Sequence, residues 1–161
     1  RFLLTLPLVQ TDAPPPTQQE HRDTAASSTD TALATAARQS DGTLILVAED
    51  NPINADILQA FLEQAGYRVA MVSDGAAAVE YTKAHDPALI IMDIQMPGMD
   101  GLEATRLIRQ DLGSTLPIIA VTALSMPGDR ERCLAAGANA HVTKPPDFDV
   151  LAHTIADILE A

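Results

Sequence analysis

The chain has 161 residues, 47% of them hydrophobic and 20% charged, enough for one globular domain of ordinary size with length to spare. A formal net charge of -12 and a pI near 4.4 argue against a phosphate-backbone binder, which gathers Lys and Arg on one face, so no direct nucleic-acid contact is expected. A lone Cys133 cannot close an internal disulfide, no Cys and His spacing resembles a metal site, and no apolar run reaches the ~18 to 20 residues that cross a bilayer; the default compartment is the reducing cytoplasm.

Residues 1–9, RFLLTLPLV, read as a strand. The run is too short to span a membrane and has neither the h-region nor the cleavage site of a secretory signal. It has no sheet of its own to join, so it is expected to be the tail of an upstream domain. Residues 10–41 are rich in Thr, Ala, Ser, Gln and Pro, with Leu33 their only large aliphatic side chain. That apolar content does not offset the entropy of ordering, and a flexible linker is expected, with a transient helix over 31–39. As a coil it would span roughly 30 Å.

From residue 42 the pattern changes to apolar runs separated by amphipathic segments. The runs are TLILVA (43–48), RVAMVS (68–73), ALIIMD (88–93), LPIIAVT (116–122) and AHVTK (140–144). Between the first two, Ile53, Ile57, Leu58, Phe61 and Leu62 recur at helical spacing. The last segment places Phe148, Leu151, Ile155, Ile158 and Leu159 on one stripe. Near-continuous apolar strands alternating with helices predict an α/β domain over 42–161, a doubly wound parallel sheet with right-handed crossovers. Gly66 and Gly137 stand where helix C-caps are expected, and Asp74-Gly75 reads as a turn opening the second helix.

In such a sheet ligands bind beyond the carboxyl ends of the strands. The first run ends in Glu49-Asp50, the third in Asp93, the fourth in Thr122 and the fifth in Lys144-Pro145. Carboxylates crowded there repel by about 4 kcal/mol per pair at a separation of about 4 Å and an effective dielectric of about 20. Lys144 and a hard divalent ion, Mg²⁺, are the natural compensation, which makes Asp93 a nucleophile beside a metal. Taken singly, a strand-end Asp serves more often as a helix N-cap or turn residue; the joint order of these residues carries the reading. His21, His85 and His153 read as solvated surface, and Cys133 as a small packing residue.

The segments ILVAEDNPINADIL, LIIMDIQMPGMDGLEATRLIR, PIIAVTA and LAAGANAHVTKPP resemble the receiver, or response-regulator, domain of two-component phosphorelays, most like the C-terminal receiver of a hybrid histidine kinase. The resemblance implies a flavodoxin-like (βα)5 fold with strand order 2-1-3-4-5. It also makes 1–9 similar to the last strand of a kinase ATP-binding domain, with the parent protein either free or membrane-anchored. It further implies that Asp93 takes a phosphoryl group from phosphohistidine on a kinase dimerisation domain or a histidine phosphotransfer protein, the receiver catalysing its own phosphorylation and slow dephosphorylation. Mg²⁺ would bind Asp50, Asp93 and the backbone carbonyl of Gln95, with Glu49 acting through water. Thr122, Lys144 and the backbone N–H groups after Asp93 and Thr122 would hold the phosphoryl oxygens, and Lys144-Pro145 would be cis. Thr122 would also switch the face built from the fourth helix and fifth strand. There the chain departs from the family: the usual Tyr or Phe of the switch is His141, a tolerated replacement or a source of pH sensitivity. Leu124 cannot orient an attacking water, which implies modest autodephosphorylation.

Two enzyme readings compete. An Asp-nucleophile phosphohydrolase of the haloacid dehalogenase type wants an acid two residues after its nucleophile, where Gln95 stands. A flavodoxin-like cofactor binder wants a Ser/Thr-rich loop after the first strand, where Glu49-Asp50 would repel phosphate. A receiver that docks without phosphorylation is the third alternative.

Overall fold

The computed structural model describes residues 42–123 and 127–161; the expected upstream strand (1–9), the linker (10–41) and Leu124 lie outside the described residues. Five strands, β1 (Leu44–Ala48), β2 (Arg68–Val72), β3 (Leu89–Asp93), β4 (Ile118–Thr122) and β5 (Ala140–Thr143), alternate with five helices. These are α1 (Pro52–Gln64), α2 (Gly75–Ala84), α3 (Gly101–Gln110), α4 (Asp129–Ala136) and α5 (Phe148–Glu160). All strand pairs are parallel, in the order β2-β1-β3-β4-β5. This is the flavodoxin-like topology that the resemblance implies.

The period of two along each strand divides the core. Ile45, Val47, Leu89, Ile91, Ile119 and Val121 face α1 and α5, against Leu58, Leu62, Leu151 and Ile155. Leu46, Ala48, Ile90, Met92 and Ile118 face α2 and α3, against Ala78, Val79, Ala104 and Ile108, while Ala120 meets Cys133 and Ala136 of α4. Burying each Leu or Ile removes its surface from water, worth about 1.5 to 3 kcal/mol apiece. The apolar run 116–122 is longer than β4 because Pro117 has no N–H for the ladder, although its carbonyl accepts from Ile90 N at 2.9 Å.

Aspartates set most helix starts. Asp74 accepts from Ala77 N at 2.7 Å, Asp100 from Glu103 N at 2.8 Å, and Asp147 from both Asp149 N and Val150 N. Asn51 caps α1 through Ile53 N, with Pro52 in the first turn, and α4 closes on Gly137 at φ 109°. The expected α1 stripe divides on folding: Leu58 and Leu62 are buried, whereas Ile53 and Ile57 are 68% and 48% exposed. The residues that face the sheet recur at 58, 62 and 65, which turns 53 and 57 off the inner edge.

Arg109 clips α3 to the far end of the sheet. Its Nε donates to Gly137 O, Nη1 to Ser114 O and Nη2 to Asn139 Oδ1, each at 2.9 Å, and the same Asn139 oxygen accepts from Ile118 N. At the opposite end Gly101 opens α3 directly against the end of β3, donating to Ile94 O at 3.1 Å, and a Cβ there would run into the Asp93 backbone carbonyl. Gly101→Ala is therefore expected to cost about 2 to 3 kcal/mol by overpacking, read as a lower urea midpoint with an unchanged slope.

Candidate functional site

The carboxyl ends of β1, β3, β4 and β5 converge because the sheet is parallel and in register. Asp93 ends β3 opposite Val121, and Thr122 ends β4 one residue further along the same edge. Glu49 and Asp50 follow β1, and Lys144 follows β5. Glu49, Asp93 and Thr122 are buried, Asp50 is exposed, and Lys144 lies between.

The Lys144 ammonium donates to Glu49 Oε2 and to Asp93 Oδ2, both at 2.6 Å. The remaining oxygens are also engaged: Glu49 Oε1 accepts from Asn54 Nδ2 at 3.1 Å and from Asn51 N at 3.3 Å, and Asp93 Oδ1 accepts from Gln95 N at 2.9 Å. Glu49, Asp50 and Asp93 each offer one oxygen within 4.8 Å of the others. Three carboxylates against one ammonium leave the cluster two charges short of neutrality. The Lys144-Pro145 bond, where the chain leaves β5, is cis.

Burial opposes ionisation of Asp93 most strongly. The hydrogen bond and charge of Lys144 and the Gln95 N–H favour the carboxylate, Glu49 disfavours it, and the balance lies above the usual aspartate value. For Lys144 burial alone would lower the pKa, but the hydrogen bonds to Asp93 and Glu49 and their charges raise it, so the ammonium persists.

The ladder corrects one expectation about donors. The N–H immediately after Asp93, that of Ile94, is taken by Val121 O at 2.9 Å, since the parallel pairing continues past the strand end. Gln95 N is the amide that reaches the Asp93 carboxylate. His141 stands apart from the cluster, opposite Ala120 in the ladder; its Nε2 is buried with no hydrogen-bond partner among the described residues. His85 and His153 are exposed and lean on carbonyls of their own helices, and His21 lies outside the described residues. The Cys133 thiol is buried, and burial followed by the Asp129 charge pushes its pKa up, which suits packing rather than reactivity. Asn54 is the site neighbour that the sequence reading passed over. A polar residue in the first turn of α1, five after Glu49, is its only signal.

A cleft of about 400 Å³ adjoins the cluster between α1 and the segment after β5, lined by Glu49, Asn54 and Lys144 at its polar end and by Ile57, Leu58 and Phe148 at its apolar end. Among the described residues no helix is long and apolar enough to cross a membrane.

The profile of the response regulator receiver domain matches residues 45–156. The chain is 38% identical over 120 residues to the sensor histidine kinase RcsC of Salmonella typhimurium, an alignment covering 74% of this chain and 13% of that kinase, so the chain spans a small part of such a relative. Among solved structures, the receiver domain of sensor histidine kinase PA1611 from Pseudomonas aeruginosa, with a magnesium ion coordinated in its active-site cleft, superposes with a TM-score of 0.69 at 41% identity, covering 74% of this chain and 99% of that one. A chain of the Saccharomyces cerevisiae co-crystal of the histidine phosphotransfer protein Ypd1 with the receiver domain of Ssk1 gives 0.68 at 29% identity, covering 73% and 89%.

The raised pKa of Asp93 has a stability consequence. Its protonated form holds a contribution to folding that is fully present below the ordinary value of 3.8 and is lost as pH rises through the higher folded-state value. Asp93→Asn is therefore expected to raise the melting temperature of the metal-free chain at neutral pH. The gap from wild type should narrow as the pH falls through the raised folded-state value and stay constant below the ordinary value of 3.8; thermal melts across pH read both.

Proposed function

The chain belongs to the response regulator receiver domain family of two-component signalling, and we propose that its receiver takes a phosphoryl group from a phosphohistidine onto Asp93. The observation that carries this reading is the Lys144 ammonium at 2.6 Å from both Glu49 and Asp93, with Asp50 in the same cluster. The carboxylate donor set, two charges short of neutral and all oxygen, fits Mg²⁺. Asp50, Asp93 and the Gln95 carbonyl would hold the ion, and Glu49 would act through water. When bound, it supplies positive charge to the equatorial phosphoryl oxygens.

The chain's own residues do the rest. An Asp93 carboxylate oxygen forms the new P–O bond as the P–N bond to the partner imidazole breaks, and the imidazole leaves with the electron pair. Burial strips water from the Asp93 carboxylate before it attacks. The Lys144 ammonium, held at the end of β5, can turn from the carboxylate toward a transferred phosphoryl oxygen, and Thr122 and the N–H after it meet the others. As the phosphoryl group draws Thr122 inward, the space beside His141 changes. Thr122 and His141 thus form the switch that carries the state of the site to the face of α4 and β5.

The donor is a histidine phosphotransfer protein or a kinase dimerisation domain, a reading supported by the Ypd1 co-crystal likeness and by the exposed Ile53 and Ile57 beside the cleft. Likeness to part of RcsC supports a hybrid kinase parent, with 1–9 closing its ATP-binding domain and 10–41 as the tether, in a cytoplasmic setting.

Intact-mass analysis after incubation with acetyl phosphate tests the proposal. One phosphoryl group is expected on wild type with Mg²⁺, none on Asp93→Ala, and labelling about 10²-fold slower in Lys144→Ala. Labelling that persists in Asp93→Ala would place the acceptor elsewhere.

A further inference from the structure

Leu62 and Leu58 lie one turn apart on the buried stripe of α1, and the next place on that stripe toward the acidic edge is Asn54. A leucine there would continue the apolar stripe, and asparagine is the weaker helix former, so the amide needs a partner. It has one: Asn54 Nδ2 donates to Glu49 Oε1 at 3.1 Å. The backbone of the first turn does little for that oxygen. Pro52 has no N–H, Ile53 N is taken by Asn51 Oδ1 at 3.0 Å, and Asn51 N reaches Glu49 Oε1 at 3.3 Å, a long contact. Glu49 Oε2 accepts from Lys144. The buried carboxylate is thus held from two sides, by a neutral amide of α1 and by an ammonium that it shares with Asp93.

Resting on the Mg²⁺ site proposed above, we infer that Asn54 is a positioning residue for that ion, acting through Glu49. The glutamate side chain is one methylene longer than aspartate, and its carboxylate rotates unless both oxygens are held. With Asn54 in place, Oε1 faces α1 and Oε2 alone meets Lys144, which leaves the ammonium able to serve Asp93 as well. Without the amide, both Glu49 oxygens can turn onto Lys144. The ammonium then leaves Asp93, and Glu49 loses the orientation from which it reaches the ion through water. The neutrality of the amide matters equally. A lysine or arginine at position 54 would also hold Glu49, but its charge would cancel part of the deficit that attracts a cation. Outer partners of this kind orient the groups that bind a metal, and their loss lowers its affinity about tenfold or more.

The test reads Mg²⁺ binding by the full chain from the rise in melting temperature with Mg²⁺ at constant ionic strength. Asn54→Leu and Asn54→Ala, both of which remove the donor, are each expected to need about tenfold more Mg²⁺ for the same rise. Made in a Glu49→Ala chain, the same substitutions are expected to change the Mg²⁺ requirement by less than about twofold, since a residue that acts through Glu49 then has nothing to position. A requirement that is unchanged or lowered in the Asn54 variants, or raised as much without Glu49 as with it, overturns the inference. Melting in the absence of Mg²⁺ reports whether each variant folds; if Asn54→Leu does not melt cooperatively, Asn54→Ala decides alone. A wild type whose melting ignores Mg²⁺ removes the ion site itself, and this inference with it.

Discussion

The bridge from Lys144 to Glu49 and Asp93 is the interaction on which the functional edge depends. Two nearly buried carboxylates, 4% and 2% exposed, would not be held side by side without it. Removing Lys144 is the costly change, about 3 to 5 kcal/mol, because the two buried carboxylates left behind are neither solvated nor compensated. Yet a single ammonium does not neutralise three carboxylates. The edge is left electrically incomplete, and that deficit is what an oxygen-seeking cation and an incoming phosphoryl group can both exploit.

The fold supplies this arrangement at little local cost. Parallel pairing brings the ends of β1, β3, β4 and β5 to one edge, so residues 49, 93, 122 and 144 meet although up to 95 positions separate them in sequence. The apolar layers on both faces of β3 then fix the Asp93 backbone, and Gly101 lets α3 begin directly against it. The same burial that positions the Asp93 carboxylate makes its charge costly, so the site is bought with stability. In the opposite direction, the Arg109 clip secures the other end of the sheet, away from the chemistry.

Much of this was legible in the sequence because the controlling signals are local or periodic. Five apolar runs and the stripe of α5 reported the layers, and the residues ending four of the runs reported the edge. The misreadings have physical causes. Spacing alone could not say which side of the α1 stripe meets the sheet, so Ile53 and Ile57 looked like core. Pro117 is apolar but cannot donate to a ladder, which shortens β4. Ile94 N looked available until the pairing with Val121 was known, and nothing in the sequence pointed to Arg109, whose partners Gly137, Ser114 and Asn139 only the fold brings around it. Asn54 gave almost no signal, because its hydrogen bond to Glu49 depends on the angle at which α1 leaves β1.

The central claim is that the Glu49, Asp50 and Asp93 cluster is a cation site kept incomplete because, among the described residues, Lys144 alone compensates it. Thermal melting of wild type and Asp50→Asn against increasing Mg²⁺, at constant ionic strength and with Na⁺ as the control, tests it most directly. The account predicts a melting temperature that climbs with Mg²⁺ in wild type, as required of a ligand that binds only the folded state, and a much weaker response in Asp50→Asn. A wild-type melting temperature that does not move with Mg²⁺, or one that moves equally in the variant, would contradict it.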